Sequence, residues 1–276
     1  MKKVIIFGSS GQLGMELSSV LSNKYEVIKV YNSKEIKGGY KIDIKDVKRV
    51  RDFILKKQPE IVINAAAMTD VDKCETEKEN AYRVNSEAVK YMVQACRILE
   101  SYFVQISTDY VFDGKKGMYK EDDVPNPINY YGLTKLLGDI YALSYEESLV
   151  VRTSGIFRNK GFPVYAYKTL KNGGTVFAFK GFYSPISARK LAMAINEVLD
   201  YRTTGILNIA GERISRYELA LRIKEEFNLS GNIVEVDEIK EWVAKRPFDS
   251  SLDISKAKKI LSTEFYKLDL NDMRIE

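Results

Sequence analysis

The chain has 276 residues, of which 45% are hydrophobic and 29% are charged, and its formal net charge is +5. Such a composition is typical of a soluble globular protein with one compound domain or two closely packed ones. Histidine is absent, which excludes a histidine general base, a Ser-His-Asp triad and histidine metal ligands, so acid–base chemistry must use tyrosine, lysine, aspartate or glutamate.

Three further patterns concern the compartment and the partners of the protein. No stretch approaches the roughly 20 apolar residues of a membrane span, and the apolar run after the basic N-terminus is too short for a signal peptide. Cys74 and Cys96 form no Cys-x-x-Cys pair, and we expect each to be buried on a helix face without a disulfide or zinc. The mild positive charge fits a phosphorylated small molecule or simply a lysine-rich surface. We therefore predict a cytoplasmic protein without a metal, a membrane or a nucleic-acid partner.

Short apolar runs alternate with helical patterns in the first half of the chain. The runs predict strands at residues 3–7, 26–31, 61–64, 102–107 and 150–153, and the helical patterns cover residues 12–22, 47–57 and 77–99. This alternation predicts an α/β fold of Rossmann type, a doubly wound parallel sheet covered by helices on both faces.

The second half of the chain is less regular and predicts a smaller C-terminal lobe. Its elements are a helix at residues 187–199, a strand at 206–209 and a helix at 215–227. Ser215 is placed to cap the last of these helices, and Glu218 completes a capping box with it.

A glycine-rich turn joins the first predicted strand to the first predicted helix. Gly8 would allow a tight turn, Gly11 would let a pyrophosphate approach the backbone, and Gly14 would let the helix pack closely on the strand. The helix N-terminus would add amide donors for the phosphates. A purely structural turn is the alternative, but this Gly-x-x-Gly-x-x-Gly spacing after a strand is typical of short-chain dehydrogenases and favours a bound dinucleotide. The residues expected to bind it are Gly8, Ser10, Gly11, Gln12, Leu13 and Gly14.

The end of the second predicted strand bears on the choice of cofactor. A carboxylate there would hold the ribose 2′-hydroxyl of NAD, whereas this chain reads Tyr31-Asn-Ser-Lys and has its first acidic residue at Glu35. Polar and basic groups suit a 2′-phosphate instead. We therefore expect NADPH as the cofactor, with NADH possible, bound in part by Asn32 and Ser33. Asp43 and Ile44 are expected beside the adenine.

Tyr131 and Lys135 are four residues apart and would share one face of a helix. An ammonium beside a phenol favours the phenolate, so we expect Lys135 to lower the pKa of Tyr131 and give an acid–base group without histidine. The same spacing recurs at residues 25 and 29 and at residues 167 and 171. Only the pair at 131 and 135 follows the fourth predicted strand, so position rather than spacing identifies it.

The segment STDYVFDG at residues 107–114 ends the fourth predicted strand, where open α/β sheets place their ligands. The Thr108 hydroxyl can donate to a substrate carbonyl oxygen, or it can simply cap nearby backbone. Asp109 and Tyr110 continue the same loop and can contact substrate hydroxyls. Asn85 either holds the backbone of the site or is only a polar residue of the long helix.

With these motifs the chain resembles the dTDP-4-dehydrorhamnose reductase family of extended short-chain dehydrogenases. The resemblance covers nearly the whole chain and is carried by residues 64–75, STDYVFDG, the YGLTK motif at 131–135, residues 152–154 and Arg246-Pro247. It implies hydride transfer from NADPH to the 4-keto group of a dTDP-4-keto-6-deoxy-hexose, giving dTDP-L-rhamnose, and a homodimer. The implied catalytic residues are Thr108, Tyr131 and Lys135, and Thr69, Val71, Asp109 and Tyr110 would line the sugar. Ala65, Ala66 and Ala67 would border the cofactor, and Asn85, Tyr131 and Lys135 are also expected among the residues that bind it.

The resemblance also divides the chain. It implies an NAD(P)-binding Rossmann domain made of residues 1–153 with roughly 184–210, and a substrate-binding lobe made of 154–183 and 211–276. Three departures from the family fall in the second half of the chain, after the glycine turn and the predicted catalytic residues: Gly155 in place of an aromatic residue, Ile186 in place of threonine and Asn208 in place of histidine. The sequence therefore supports carbonyl reduction better than the identity of the sugar.

Two other functions fit the same sequence. A non-catalytic, NADP-binding regulatory subunit resembling that of methionine adenosyltransferase keeps a similar Ser-Asp-Tyr-Val-Phe-Asp-Gly segment and a similar Tyr-x-x-x-Lys pair. A nucleotide-sugar epimerase or dehydratase shares the fold but retains its cofactor through the cycle. The fold does not decide among them, because function resides in the site.

Overall fold

The structure is a computed structural model and describes residues 1–274. Residues 275 and 276, the end of the predicted substrate-binding lobe, lie outside the described residues. In chain order the strands are β1 (Lys3–Phe7), β2 (Glu26–Tyr31), β3 (Tyr40–Lys41), β4 (Ile61–Asn64), β5 (Tyr102–Ile106), β6 (Ser148–Arg152), β7 (Ile156–Phe157), β8 (Thr175–Phe179), β9 (Phe182–Tyr183), β10 (Ile186–Ser187), β11 (Gly205–Asn208), β12 (Ile214–Ser215) and β13 (Asn232–Val236).

The helices lie between these strands and on both sides of the sheet that they form. In chain order they are α1 (Gln12–Leu21), α2 (Val47–Lys57), α3 (Val71–Thr76), α4 (Lys78–Tyr82), α5 (Ala88–Leu99), α6 (Tyr130–Leu143), α7 (Phe162–Lys171), α8 (Ala188–Tyr201), α9 (Arg216–Glu226) and α10 (Ser255–Ile260). None of the helices within residues 1–274 has the length and apolar character needed to cross a bilayer.

The main sheet confirms the predicted Rossmann-type fold. Within residues 1–274 it has seven strands in the order β11-β6-β5-β4-β1-β2-β3, and each neighbouring pair is parallel. Alternate residues of β1 enter two different cores: Val4 and Ile6 pack on one face of the sheet, and Ile5 and Phe7 pack on the other. Burial on both faces explains why the strands read as continuous apolar runs.

The chain leaves the main sheet after β6 and later returns to it. β8 and β13 form a parallel pair that packs with α7 and α9 around a separate hydrophobic core. Between these elements the chain goes back through α8, which packs against α1, and through β11, which pairs with β6. The division into two domains stays a prediction. The predicted capping box of α9 is present, with Ser215 and Glu218 bonding each other's backbone.

The predicted single helix over residues 77–99 is wrong in one respect. α4 and α5 are joined by a π-helical turn, Arg83–Glu87, rather than by regular α-helix. Two side chains of this turn reach α6: Asn85 Nδ2 donates to Thr134 Oγ1 at 3.1 Å, and Ser86 Oγ donates to the Thr134 carbonyl at 2.7 Å. The wider turn thus brings polar side chains to a neighbouring helix, which spacing in the sequence does not reveal. Cys74 and Cys96 are buried on α3 and α5 as predicted.

Candidate active site

A cavity of about 410 Å³ opens where the carboxyl ends of β1, β4, β5 and β6 meet the C-terminal part of the chain. This is the edge at which parallel α/β sheets bind ligands. More than half of the residues predicted for the site line the cavity: Gly11, Gln12, Leu13, Ala65, Ala67, Thr69, Val71, Thr108, Asp109, Tyr110 and Tyr131. The structure therefore brings the glycine turn and two of the three predicted catalytic residues to one cavity.

The glycine turn is packed so tightly that side chains would not fit. Gly8 has a φ of +80°, and a Cβ on it would lie 2.7 Å from the Ala66 nitrogen. A Cβ on Gly14 would lie 2.2 Å from the Gly8 carbonyl oxygen. Gly11 is the N-cap of α1 and brings no side chain to the amides of its first turn. Those amides are left for an anion, so the turn fits the diphosphate of a dinucleotide.

The remaining residues predicted for the cofactor lie away from this cavity. Ser10 lines a second cavity, of about 520 Å³, together with Lys29, Lys34 and Lys37. Asn32 and Ser33 are exposed after β2, and Ile44 is buried. The Asp43 carboxylate accepts from the Lys45 backbone amide at 3.0 Å. The positive charge of the second cavity comes from its three lysines, of which the sequence analysis considered only Lys34 for the cofactor.

Thr108 performs the backbone capping that the sequence left as an alternative, and it also lines the cavity. Its Oγ1 accepts from the Tyr110 amide at 3.2 Å and donates to Asp109 Oδ1 at 3.1 Å. The buried Asp109 carboxylate also accepts from Ser154 Oγ at 2.7 Å and Ser250 Oγ at 2.5 Å. Burial raises the pKa of Asp109, and the three hydroxyls oppose that rise. Asp109 thus joins the ends of β5 and β6 to the C-terminal segment.

Tyr131 stands on the first turn of α6, and its environment differs from the predicted one. Burial raises the pKa of Tyr131, and the neighbouring Thr108 hydroxyl only partly opposes this. The predicted lowering by Lys135 is not observed, because the Lys135 ammonium is buried and donates to the Ile106 carbonyl at 2.6 Å. Tyr131 is therefore a protonated phenol at neutral pH, as an acid must be.

Asn85 holds the loop that carries two of the cavity residues. Its Oδ1 accepts from the Met68 amide at 2.9 Å, and its Nδ2 donates to the Met68 carbonyl at 3.1 Å. Met68 lies between Ala67 and Thr69, both of which line the cavity. The Asn85 side chain therefore fixes the backbone of the loop at Met68, whose neighbours line the cavity, but it does not itself line the cavity.

A family model described as "RmlD substrate binding domain" matches residues 1–274. The chain belongs to this family.

Similar proteins include a dTDP-4-dehydrorhamnose reductase from Aggregatibacter actinomycetemcomitans. It is 34% identical to this chain in an alignment that covers 93% of this chain and 92% of that protein. The crystal structure of a hypothetical dTDP-4-dehydrorhamnose reductase from Sulfolobus tokodaii is 67% identical, with a TM-score of 0.98 and coverage of 99% and 100% of the two chains. A reductase from Bacillus anthracis in complex with NADP is 28% identical, with a TM-score of 0.86 and coverage of 94% and 93%.

The three departures from the RmlD family have different positions in the structure. Gly155 lines the cavity, has a φ of +46°, and a Cβ on it would lie 2.6 Å from the Tyr183 ring. Tyr183 of β9, which also lines the cavity, therefore fills the space beside position 155 with an aromatic ring. Asn208 and Ile186 lie outside the cavity wall, and Asn208 Nδ2 donates to the Tyr119 and Asp253 carbonyls at 2.9 and 3.0 Å.

An aromatic groove of about 630 Å³ adjoins the cavity and was not predicted from the sequence. Its aromatic residues are Phe162, Tyr165, Phe177, Phe179 and Trp242. Phe162 and Arg216 line both spaces, so the groove and the cavity are neighbours. The Arg216 guanidinium lies over the Tyr183 ring at 4.5 Å and places a positive charge at the junction.

A bidentate ion pair fastens one wall of this groove to α3. Arg246 donates to both Asp72 carboxylate oxygens, at 2.8 and 3.0 Å, and lowers the pKa of Asp72. The same carboxylate accepts from the amides of Val243 and Ala244, next to Trp242. Since Asp72 follows the cavity residue Val71, the ion pair connects the groove wall directly to the cavity.

Proposed function

We propose that this chain reduces dTDP-4-dehydrorhamnose to dTDP-L-rhamnose by hydride transfer from NADPH, with NADH as a second possible donor. The family, a curated relative named dTDP-4-dehydrorhamnose reductase and a solved reductase in complex with NADP support this function. The observation that carries it is the cavity in which the glycine turn, the Thr108 hydroxyl and the protonated Tyr131 phenol meet.

Each residue of the proposed triad has one task in the reduction. Tyr131 gives its proton to the oxygen of the substrate carbonyl as that oxygen becomes an alcohol. The Thr108 hydroxyl hydrogen-bonds the same oxygen, and Lys135, one helical turn beyond Tyr131, would hold the nicotinamide ribose. A bound NADPH would supply the hydride to carbon 4 of the sugar. The Asp109 carboxylate holds Thr108 beside the C-terminal segment, because it accepts hydrogen bonds from the hydroxyls of Thr108 and Ser250.

Different residues around the glycine turn would bind the diphosphate and the 2′-phosphate of the cofactor. The turn and the first amides of α1 would bind the diphosphate. Lys29, Lys34 and Lys37, with Ser10, would receive a 2′-phosphate, and among residues 1–274 Glu35 is the single acidic residue lining that cavity. Three ammonium groups against one carboxylate favour the extra phosphate of NADPH. This charge balance agrees with the choice of cofactor made from the sequence.

The nucleotide part of the substrate would extend from the cavity into the aromatic groove. A sugar in the cavity places the diphosphate of a nucleotide sugar near Arg216, which lines both spaces. A pyrimidine base would then stack among the groove's aromatic rings, of which Phe177 and Tyr165 are about half exposed. The groove thus suits a flat base joined to an anionic linker.

Trp242 provides a direct test of this placement, since it is the chain's single tryptophan and lines the groove. We expect dTDP alone to change its fluorescence saturably, and Arg216→Gln to weaken dTDP binding about tenfold or more, as for loss of a charged hydrogen bond. Phe177→Ser should also weaken it, whereas Tyr201→Ser, an equally exposed aromatic on α8, should not. Unchanged fluorescence, together with an Arg216 variant that binds dTDP normally, would contradict the placement.

The function itself is tested by following NADPH absorbance with enzymatically prepared dTDP-4-keto-6-deoxy-L-mannose. Steady oxidation of NADPH, with dTDP-L-rhamnose as the product, is the expected result. An epimerase or dehydratase would consume no net NADPH. A regulatory subunit would bind the cofactor without turnover, and would co-purify with a partner enzyme.

The assembly and the compartment stay predictions. We propose a cytoplasmic homodimer, as the resemblance implies. Analytical ultracentrifugation at micromolar concentration gives the mass of the particle and so distinguishes a dimer from a monomer. A monomer at all concentrations would refute the proposed homodimer.

A further inference from the structure

A buried charged cluster lies directly behind the two hydroxyls of the proposed active site. It contains Lys135 and Asp139 on α6, Ser107 after β5 and Arg152 at the end of β6, and each is at most 4% exposed. Ser107 precedes Thr108, and Lys135 follows Tyr131 by one helical turn. The proposed reaction uses only Lys135 of these four, so the other charges need an explanation.

Asp139 is the centre of the cluster and is incompletely bonded. Its Oδ2 accepts from Ser107 Oγ at 2.5 Å. Its Oδ1 is buried and has no hydrogen-bond partner within residues 1–274, and the same holds for Arg152 Nε. A buried carboxylate oxygen without a donor costs free energy of folding, so a neutral side chain would be expected here if stability alone mattered.

The charges of the cluster compensate one another. Burial lowers the pKa of Lys135 to about 8, and Asp139 opposes that fall. Burial raises the pKa of Asp139 to about 6, and Lys135, Ser107 and Arg152 oppose that rise. Arg152 donates through Nη1 to the Glu121 carbonyl, and its own charge is offset by Asp139, Glu121 and Asp123. At neutral pH both Lys135 and Asp139 are therefore charged.

We propose that Asp139 is a positioning residue for the reduction: its carboxylate keeps the Lys135 ammonium charged and, through Ser107, fixes the strand end that carries Thr108. This inference rests on the proposed function only in that Lys135 holds the nicotinamide ribose. Without the carboxylate, the desolvated ammonium loses its proton near neutral pH. With asparagine at this position the amide oxygen can still accept from Ser107 Oγ, so the strand end stays in place while the charge that binds the cofactor is lost.

The test is the pH dependence of NADPH binding to Asp139→Asn, measured by NADPH fluorescence without any keto-sugar. Below about pH 6 the wild-type Asp139 is itself mostly protonated, so the two proteins should bind alike. Above pH 6 the affinity for NADPH should fall in both proteins as Lys135 loses its proton. In the variant this fall should occur at a pH about 1–2 units lower than in the wild type, because one opposite charge has been removed. At pH 8 this amounts to about tenfold weaker binding.

Two control variants separate the charge from the hydrogen bond. Asp139→Glu keeps the charge and should restore much of the wild-type pH profile. Ser107→Ala removes the hydrogen bond but keeps both charges, and should leave the pH profile of NADPH binding in place. An Asp139→Asn profile parallel to that of the wild type at every pH would overturn the proposal.

Thermal unfolding distinguishes a positioning role from a merely structural one. The pKa of Asp139 is raised in the folded protein, so its stabilising contribution is present at low pH and is lost as the pH rises through about 6. At pH 8, Asp139→Asn should therefore melt no lower than the wild type while binding NADPH more weakly. A large loss of melting temperature with an unchanged binding profile would refute the proposal. Normal cofactor binding without reduction would refute the proposed function alone.

Discussion

Tyr131→Phe is expected to lower the turnover of the keto-sugar by about 100-fold or more, the loss typical of a missing general acid. The NADPH dissociation constant should stay within about twofold, because the phenol donates its proton only in the transition state. Burial raises the pKa of Tyr131, so the wild-type phenol stays protonated across the neutral range and should not itself limit the rate there. Steady-state kinetics and a fluorescence titration with NADPH measure the two quantities.

Tyr110→Phe is the matched control for this experiment. Tyr110 lines the same cavity, and its ring packs edge-on against that of Tyr131 with centroids 5.9 Å apart. Removing its hydroxyl should affect the Michaelis constant for the sugar more than turnover. A Tyr131→Phe enzyme with a near-normal rate, or equal losses of turnover in both variants, would remove Tyr131 from the role of acid.

Gly8→Ala is expected to abolish NADPH binding and to destabilise the fold by about 3 kcal/mol, combining backbone strain with a forced shift of the packed backbone. Gly8 has a φ of +80°, and its new Cβ would meet the Ala66 nitrogen at 2.7 Å. The clash moves the turn away from the loop after β4, whose Ala65 and Ala67 line the cavity. Urea unfolding gives the change in stability, and calorimetry with NADPH gives the loss of affinity.

Gly205→Ala separates these two causes. Gly205 has nearly the same φ, +84°, but a Cβ on it would meet nothing within 4 Å. Strain alone should destabilise this variant by about 1–2 kcal/mol and leave NADPH binding intact. Equal effects of the two substitutions would mean that the close packing at Gly8 has no part in holding the cofactor.

The elements that the sequence predicts well are those specified by neighbouring residues. β1, β2, β4 and α2 begin and end where expected, because continuous apolar runs and helical spacing are local signals. The capping box of α9 is another, since its two members are three residues apart. The glycine turn belongs with these, because the tight packing of Gly8 and Gly14 follows from the strand, turn and helix around them.

The features that the sequence did not reveal depend on residues far apart in the chain. Asp109 is bonded by Ser154 and Ser250, which are 45 and 141 residues away from it. The direction of the Tyr131 pKa shift was wrong because the spacing to Lys135 is local, whereas burial of the phenol is produced by the whole cavity wall. The aromatic groove likewise joins α7, β8 and the segment after β13, whose proximity no local pattern encodes.

The position of β11 in the main sheet has a consequence for the folding of the chain during its synthesis on the ribosome. β11, at Gly205–Asn208, is the outer partner of β6, at Ser148–Arg152. Until the later segment has been synthesised, the nascent chain carries β6, whose five residues are all buried in the complete fold, as an open edge of the kind that pairs with other chains. A truncated messenger ending near residue 153 would therefore yield an aggregating fragment and a burden on chaperones, even though it encodes every residue of the glycine turn and the triad.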